Sequence, residues 1–207
     1  GCLYLTATPG DALLREIKSK RLVVNYLPLR YHGHLLPQIK VRLAFGWRRR
    51  LERQKLPPQV IQQLQETLRE GHRFLLFVPH IADLALVEAV LRHSFRFATV
   101  HASDPERLEK VQKMRDGDYD FLVTTSILER GVTFPEIDVY VLGADDPVFS
   151  SSALVQIAGR AGRSQSRPTG RVIFWINCNC RQVNQAVSQV KYLNRKGQRL
   201  IDGMPFV

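Results

Sequence analysis

The 207-residue sequence contains no run of about 18 apolar residues, which excludes a membrane-spanning helix on length alone. Cysteine is scarce. Cys2, Cys178 and Cys180 are an odd number with one close pair, which makes no disulfide framework and fits a reducing cytoplasm. Four zinc ligands at a familiar spacing are lacking, so Cys178-Asn179-Cys180 is expected to close a strand, and no metal site is expected. The first residues, Gly1-Cys2-Leu3-Tyr4-Leu5, have neither a basic n-region nor a cleavage site, which argues against a secretory leader. Internal repeats and low-complexity tracts are also missing. With 44% hydrophobic and 24% charged residues, the composition excludes disordered, collagenous and fibrous classes.

What is abundant is positive charge, a net +11 that is unevenly spread. Lys40 to Lys55 holds seven bases against Glu52 alone, and Gly159 to Val207 holds nine against Asp202 alone. Between His101 and Ser150, eleven acids face five bases. Basic ends around an acidic middle describe a focused positive surface, the footprint of a polyanion partner or of a solvated basic face.

Short apolar runs alternate with amphipathic segments, the signature of strand–helix–strand units and a mainly parallel sheet with helices on both faces. Strands are expected at Arg73–Val78, Arg96–Val100, Phe121–Thr125, Ile137–Leu142 and Arg171–Ile176. Their continuous apolar character fits burial on both faces. Helical stripes follow from Val60, Ile61, Leu64 and Leu68, from Leu84, Val87 and Leu91, and from Val183, Val187, Val190 and Leu193. Ser103-Asp104-Pro105-Glu106 has the pattern of a capping box, opening a helix with Leu108, Val111 and Met114 inward. The stretch from Arg21 to Pro58 breaks this rhythm. Leu22–Leu27 and Ile39–Phe45 are expected as an antiparallel pair, followed by an arginine-rich loop or short helix over Trp47–Lys55. Three regions result: 1–20, a linker; 21–58, an insertion or linker with a basic segment; and 59–207, one doubly wound α/β domain.

The most specific motif is Gln156-Ile157-Ala158-Gly159-Arg160-Ala161-Gly162-Arg163-Ser164, expected on a helix that begins near Ser150–Ser152 and loosens at its glycines. Arg160 and Arg163 are three apart, which sends both guanidinium groups to one side of a turn. Their forked, permanent charge suits the oxygens of a phosphoryl group in transit, and the neighbouring glycines clear the backbone for a bulky anion. Both arginines are expected to face a cleft at the tips of the parallel strands. Thr124 and Thr125 end a buried strand, where hydroxyls meet ligands in open α/β sheets.

At these residues the sequence resembles the second RecA-like lobe of superfamily 2 helicases and translocases. There, QxxGRxGR is motif VI, Thr124–Pro135 (TTSILERGVTFP) is similar to motif V, Phe74–His80 (FLLFVPH) to motif IV, and Thr6-Ala7-Thr8-Pro9 to motif III at the end of the first lobe. The wording of TATP, ILERGVTFP and QIAGRAGRS most resembles the late-competence DNA-uptake ATPase family, ComFA. The resemblance implies a C-terminal lobe of an ATP-dependent DNA translocase, with Arg160 and Arg163 as catalytic arginine fingers. It implies nucleotide contacts from Gly131, Thr133, Gln156 and Gly159, although many family members carry Asp at the position of Thr133. Single-stranded DNA contacts are expected from Pro79, His80, His101, Thr124 and Thr125, and from Arg48, Arg49 and Arg50, with Trp47 stacking on a base; for the Trp47–Arg50 segment a partner-protein surface is an equal alternative.

The sequence has no GxxxxGK[ST] phosphate loop and no DExx box. ATP and Mg²⁺ are therefore expected to be held mainly by a first lobe outside this chain, and the chain alone is expected to be inactive. Asp145-Asp146-Pro147 is expected as a solvated turn. Expected partners are that first lobe, single-stranded DNA and other competence proteins, in the cytoplasm or at the inner face of the membrane. The alternatives are a primosomal or recombination helicase lobe, and a non-catalytic nucleic-acid or partner-binding module on the same scaffold.

Overall fold

The computed structural model describes residues 6, 11–19, 21–22, 24–25, 27–30, 33–125, 134–162, 164 and 167–203. Helix α1 (Asp11–Lys18) is followed by strand β1 (Ile39–Leu43), helices α2 (Trp47–Glu52) and α3 (Pro58–Arg69), and strand β2 (Phe74–Phe77). Then come α4 (Ile81–Leu91), β3 (Phe97–Val100), α5 (Arg107–Asp116), β4 (Phe121–Thr124), β5 (Asp138–Leu142), α6 (Ser151–Ala158), β6 (Val172–Ile176) and α7 (Arg181–Asp202). The strands form one sheet in the order β1-β6-β5-β2-β4-β3, and every pairing is parallel.

The period of two along each strand divides the core into two layers. Leu75, Phe77, Val139, Val141 and Phe174 face α5, α6 and α7, meeting Val111, Met114, Leu154, Ile157, Val183 and Val190. Phe74, Leu76, Tyr140 and Trp175 face α2, α3 and α4, meeting Leu51, Val60, Leu64 and Val87. Because both faces are covered, β2, β4, β5 and β6 are buried at every position, which is why they stand out in the sequence as unbroken apolar runs. All five strands expected from those runs are present.

Three expectations fail. Ile39–Leu43 does not pair antiparallel with the described residues of 22–27. It is the edge strand of the sheet, parallel to β6 from Ile39↔Val172 to Leu43↔Ile176. Trp47 and Leu51 of α2 are buried in the second core layer, so residues 39–56 are built into this sheet and its core instead of standing ahead of them. Leu108 is 70% exposed. The Asp104 carboxylate accepts the Glu106 N–H at 2.9 Å, so the turn is closed by Asp104 instead of Ser103. The helix starts only at Arg107, with Val111 and Met114 inward and Leu108 in its outer first turn.

Candidate nucleotide and nucleic-acid site

Parallel strands bring their C-terminal ends to one edge. Strands β2 and β5 are neighbours, yet β2 continues through α4 towards β3 on one side and β5 through α6 to β6 on the other. The chain therefore diverges between them, at the kind of switch point where open α/β sheets bind ligands. Val78-Pro79-His80 leaves β2 there and Gly143–Asp146 leaves β5 there. The two segments are joined, with His80 Nε2 3.0 Å from Asp146 Oδ2.

Arg48, projecting from α2, crosses this junction. Its guanidinium donates to Asp83 Oδ1 at 2.9 Å and Asp146 Oδ2 at 3.2 Å, and it lies 4.7 Å over the Trp47 ring. Asp83 is buried, and its other oxygen accepts the His80 N–H at 3.0 Å, closing a capping box at the start of α4. Asp145 accepts the backbone N–H groups of Asn177 and Cys178 at 3.0 and 3.1 Å. A hydrogen bond to the same carboxylate raises the Cys178 thiol pKa above its ordinary value. Asp145 and Asp146 are thus bonded members of this edge and not a solvated turn.

The expected nucleic-acid residues separate on this edge. Arg48 is committed to two carboxylates, whereas Arg49 and Arg50 are exposed. Trp47 is 4% exposed, which leaves its ring no face for a base. Pro79 is buried, His80 is exposed, and His101 is half-buried at the end of β3. Thr124 is fully buried within β4, so Thr125 is the member of the pair that reaches the surface.

The motif around Arg160 is elsewhere. Ser150 caps α6 by accepting the Ala153 N–H at 3.1 Å. The helix then runs back along the sheet, with Gln156 exposed, and ends at Gly159. Gly162 bridges Ile137, the residue before β5: its N–H donates to Ile137 O at 2.9 Å, and its carbonyl accepts the Glu136 N–H at 2.8 Å. Gly159 and the half-buried Arg160 therefore lie near the N-terminal end of β5. They are on the opposite edge of the sheet from His80 and Thr125, and not at the C-terminal strand tips. Gly131, Thr133 and Arg163 fall outside the described residues, as does the Ala7-Thr8-Pro9 part of the first motif.

This second edge is tightly tied. Arg30 donates to the carbonyls of Gly159, Ala161 and Pro168 at 3.1, 2.7 and 3.0 Å. Arg167 donates to Glu136 O at 2.8 Å and to Asp138 Oδ1 at 2.6 Å, and Asp138 is wholly buried. Ser164 Oγ donates to Glu136 Oε1 at 2.8 Å and accepts the Arg167 N–H at 2.9 Å. Sequence reasoning missed Arg30, Asp83, Asp138 and Arg167. Asp83 had a legible signal, an acid three residues after a helix start; Arg30 had none.

Residues 58–165, more than half of the chain, match the family model described as helicase conserved C-terminal domain. The chain belongs to that family. Over 193 residues it is 39% identical to Competence protein ComFA of Bacillus subtilis (strain 168), covering 93% of this chain and 42% of that protein. It is 32% identical over 197 residues to Competence protein ComFA of Streptococcus pneumoniae (strain ATCC BAA-255 / R6), covering 94% and 46%. UvrABC system protein B of Xylella fastidiosa (strain M12) is 28% identical over 201 residues, covering 94% of this chain and 28% of that protein. The chain thus spans less than half the length of these relatives. In fold it is similar to the C-terminal domain of the DEAD-box protein Dbp5, with a TM-score of 0.51 and 18% identity over 77% of this chain and 86% of that one. It is a RecA-like, superfamily 2 helicase C-terminal lobe that resembles ComFA.

Among the described residues, no three His, Cys, Asp or Glu side chains are grouped to hold a metal ion. A guanidinium such as that of Arg160 suits phosphate oxygens by its chemistry, and the described residues give Mg²⁺ no ligand set. No described helix is long and apolar enough to cross a membrane.

Proposed function

We propose that this chain is the second lobe of an ATP-dependent DNA translocase acting in DNA uptake during competence. Arg160 and Arg163 would meet the γ-phosphate of ATP held by a first RecA-like lobe. That lobe would supply the phosphate loop and the Mg²⁺ ligands, and bound Mg²⁺ would neutralise charge on the β- and γ-oxygens. The residues of this chain do three things. Arg160 and Arg163 present fixed guanidinium charge where the transferring phosphoryl group gains it. The Arg30 and Gly162 contacts hold that loop in one geometry. The opposite edge, with His80, Thr125, His101, Arg49 and Arg50, grips the backbone of single-stranded DNA, and the Arg48–Asp83–Asp146 bridge keeps its two loops together. Gln156 and Gly159 flank the nucleotide from this lobe, and Gly131 and Thr133, outside the described residues, complete its contacts. Nucleotide and DNA would then lie at opposite ends of the same rigid strands, so that closing on one moves the grip on the other. Other competence proteins at the inner, cytoplasmic face of the membrane are the partners this role implies.

The observation that carries the proposal is the pinned Gly159–Gly162 loop, a backbone tied at the carbonyls of Gly159 and Ala161 on either side of an arginine and joined through Arg30 to Pro168. The test is ATP turnover by the full-length protein with and without single-stranded DNA. Arg160→Ala lowers kcat by about 10³-fold or more. Near wild-type turnover by that variant removes the assignment.

A further inference from the structure

We infer that Arg30 is a positioning residue for the arginine loop. Its guanidinium donates to the backbone carbonyls on both sides of Arg160 and to the returning strand of the loop at Pro168, fixing the peptide units from which Arg160 projects. The inference rests on the role of Arg160 proposed above.

The geometry is specific to a guanidinium. Gly159 and Ala161 are at and just beyond the C-terminal end of α6, where carbonyls lack intrahelical partners and the helix dipole leaves partial negative charge. Arg30 Nη2 donates to Gly159 O at 3.1 Å, while Nη1 donates to Ala161 O at 2.7 Å and Pro168 O at 3.0 Å. Three acceptors spread along one side of a loop match a planar fork with several fixed N–H directions. They do not match a single ammonium nitrogen. The Gly159 carbonyl belongs to the peptide unit that enters Arg160, and the Ala161 carbonyl to the unit after the one that leaves it, so the clamp holds the backbone on both sides of the Arg160 Cα.

Arg30 is itself held. Its N–H donates to His34 O at 2.9 Å and its carbonyl accepts the Gly33 N–H at 2.8 Å, forming a local turn. The segment continues onto α7, where the Asn194 side chain makes two hydrogen bonds with the backbone of Leu36, both at 2.9 Å. Leu29 and Leu35 close over Gly197, where an added Cβ would stand 2.8 and 2.7 Å from their Cδ2 atoms. Leu29, Leu35 and Leu36 therefore dock on α7, and Arg30 beside them reaches the loop with its side chain.

The experiment uses the full-length protein and compares Arg30→Ala, Arg30→Lys, Arg160→Ala and the double variant Arg30→Ala/Arg160→Ala. Single-stranded-DNA-stimulated kcat and the KM for ATP are measured, and circular dichroism checks folding. Arg30→Ala lowers kcat at least tenfold with KM within about twofold, Arg30→Lys lowers it at least threefold, and guanidinium ion restores turnover to Arg30→Ala but not to Arg160→Ala. The double variant turns over within twofold of Arg160→Ala, since Arg30 acts only through Arg160. If Arg30→Ala does not fold, the Arg30→Lys result decides. Wild-type kcat in the folded Arg30 variants, or effects that multiply in the double variant, overturns the inference while leaving Arg160 in its role. Full turnover by Arg160→Ala would instead overturn the underlying assignment.

Discussion

Gly159 and Gly162 flank Arg160 in one short motif, and the structure makes opposite demands on them. At Gly162 the backbone φ is +75°, where an L side chain meets its own carbonyl at a cost of roughly 1–2 kcal/mol. An added Cβ would also stand 2.6 Å from Pro168 O and 2.8 Å from Gly170 N, backbone atoms that cannot rotate away. Moving them disturbs the bridge to Ile137, and overpacking of this kind costs about 1–3 kcal/mol more. Gly162→Ala should therefore lose about 2–5 kcal/mol. At Gly159, φ is −62°, and a Cβ would meet Gln156 O and Val155 O at 3.4 Å, a contact at the near edge of the ordinary range. Gly159→Ala fits a helical position and reduces the freedom of the unfolded chain, so its effect stays within about 1 kcal/mol of zero. Urea denaturation of the two variants at constant m-value measures both. Equal stability of Gly162→Ala and wild type, or equal damage at the two positions, would refute the geometric reasoning. The contrast also revises the role of the second glycine: it makes room for the chain's own Pro168–Gly170 backbone, and not for an approaching anion.

Two further predictions address the sheet and the strand-end surface. Burial, with the Asp138 carboxylate as a second cause, pushes the Tyr140 hydroxyl up to about 12 from an ordinary value of 10.0, so the folded chain keeps a proton that the unfolded chain has released. Stability should fall as pH rises from 10 to 12, by roughly 2–3 kcal/mol in all, and Tyr140→Phe should abolish that part of the slope in urea titrations; an unchanged slope contradicts the burial argument. On the other edge, Arg49→Ala with Arg50→Ala should reduce the log–log salt slope of single-stranded-DNA binding by about 1.4, and Arg48→Ala should leave the slope alone while costing roughly 1–3 kcal/mol of stability by unpairing buried Asp83. Fluorescence anisotropy across a salt series separates the two outcomes.

Strands β2, β4, β5 and β6 were legible because burial on both faces leaves a mark that survives in one dimension, whereas β3 is an edge strand with only Val100 buried and was legible from its short apolar run alone. Strand β1 left a different mark. Lys40 and Arg42 alternate with Ile39, Val41 and Leu43 in an edge strand, four of whose five residues are exposed, so it resembles half of a hairpin. Only its pairing with Val172–Ile176, far along the chain, shows where it belongs. The helix of the QxxGRxGR motif was legible from its serine cap and its glycines. Its placement was not, because the length of α6 carries the motif to the far end of β5 from the residues it was grouped with. Arg48 and Arg30 show the same limit in opposite ways. The charge of Arg48 was visible while its carboxylate partners were not. The partners of Arg30 are backbone carbonyls, which every sequence has and none advertises.

The most direct measurement of the central claim is the affinity of the full-length protein for ADP with fluoroaluminate, a mimic of the transferring phosphoryl group, relative to its affinity for ADP alone. An arginine that touches that group in the transition state gives the wild-type protein at least about a 10²-fold preference for the mimic, and Arg160→Ala removes most of it without weakening ADP binding. A folded Arg160→Ala variant that keeps the whole preference would place the catalytic charge somewhere other than this loop.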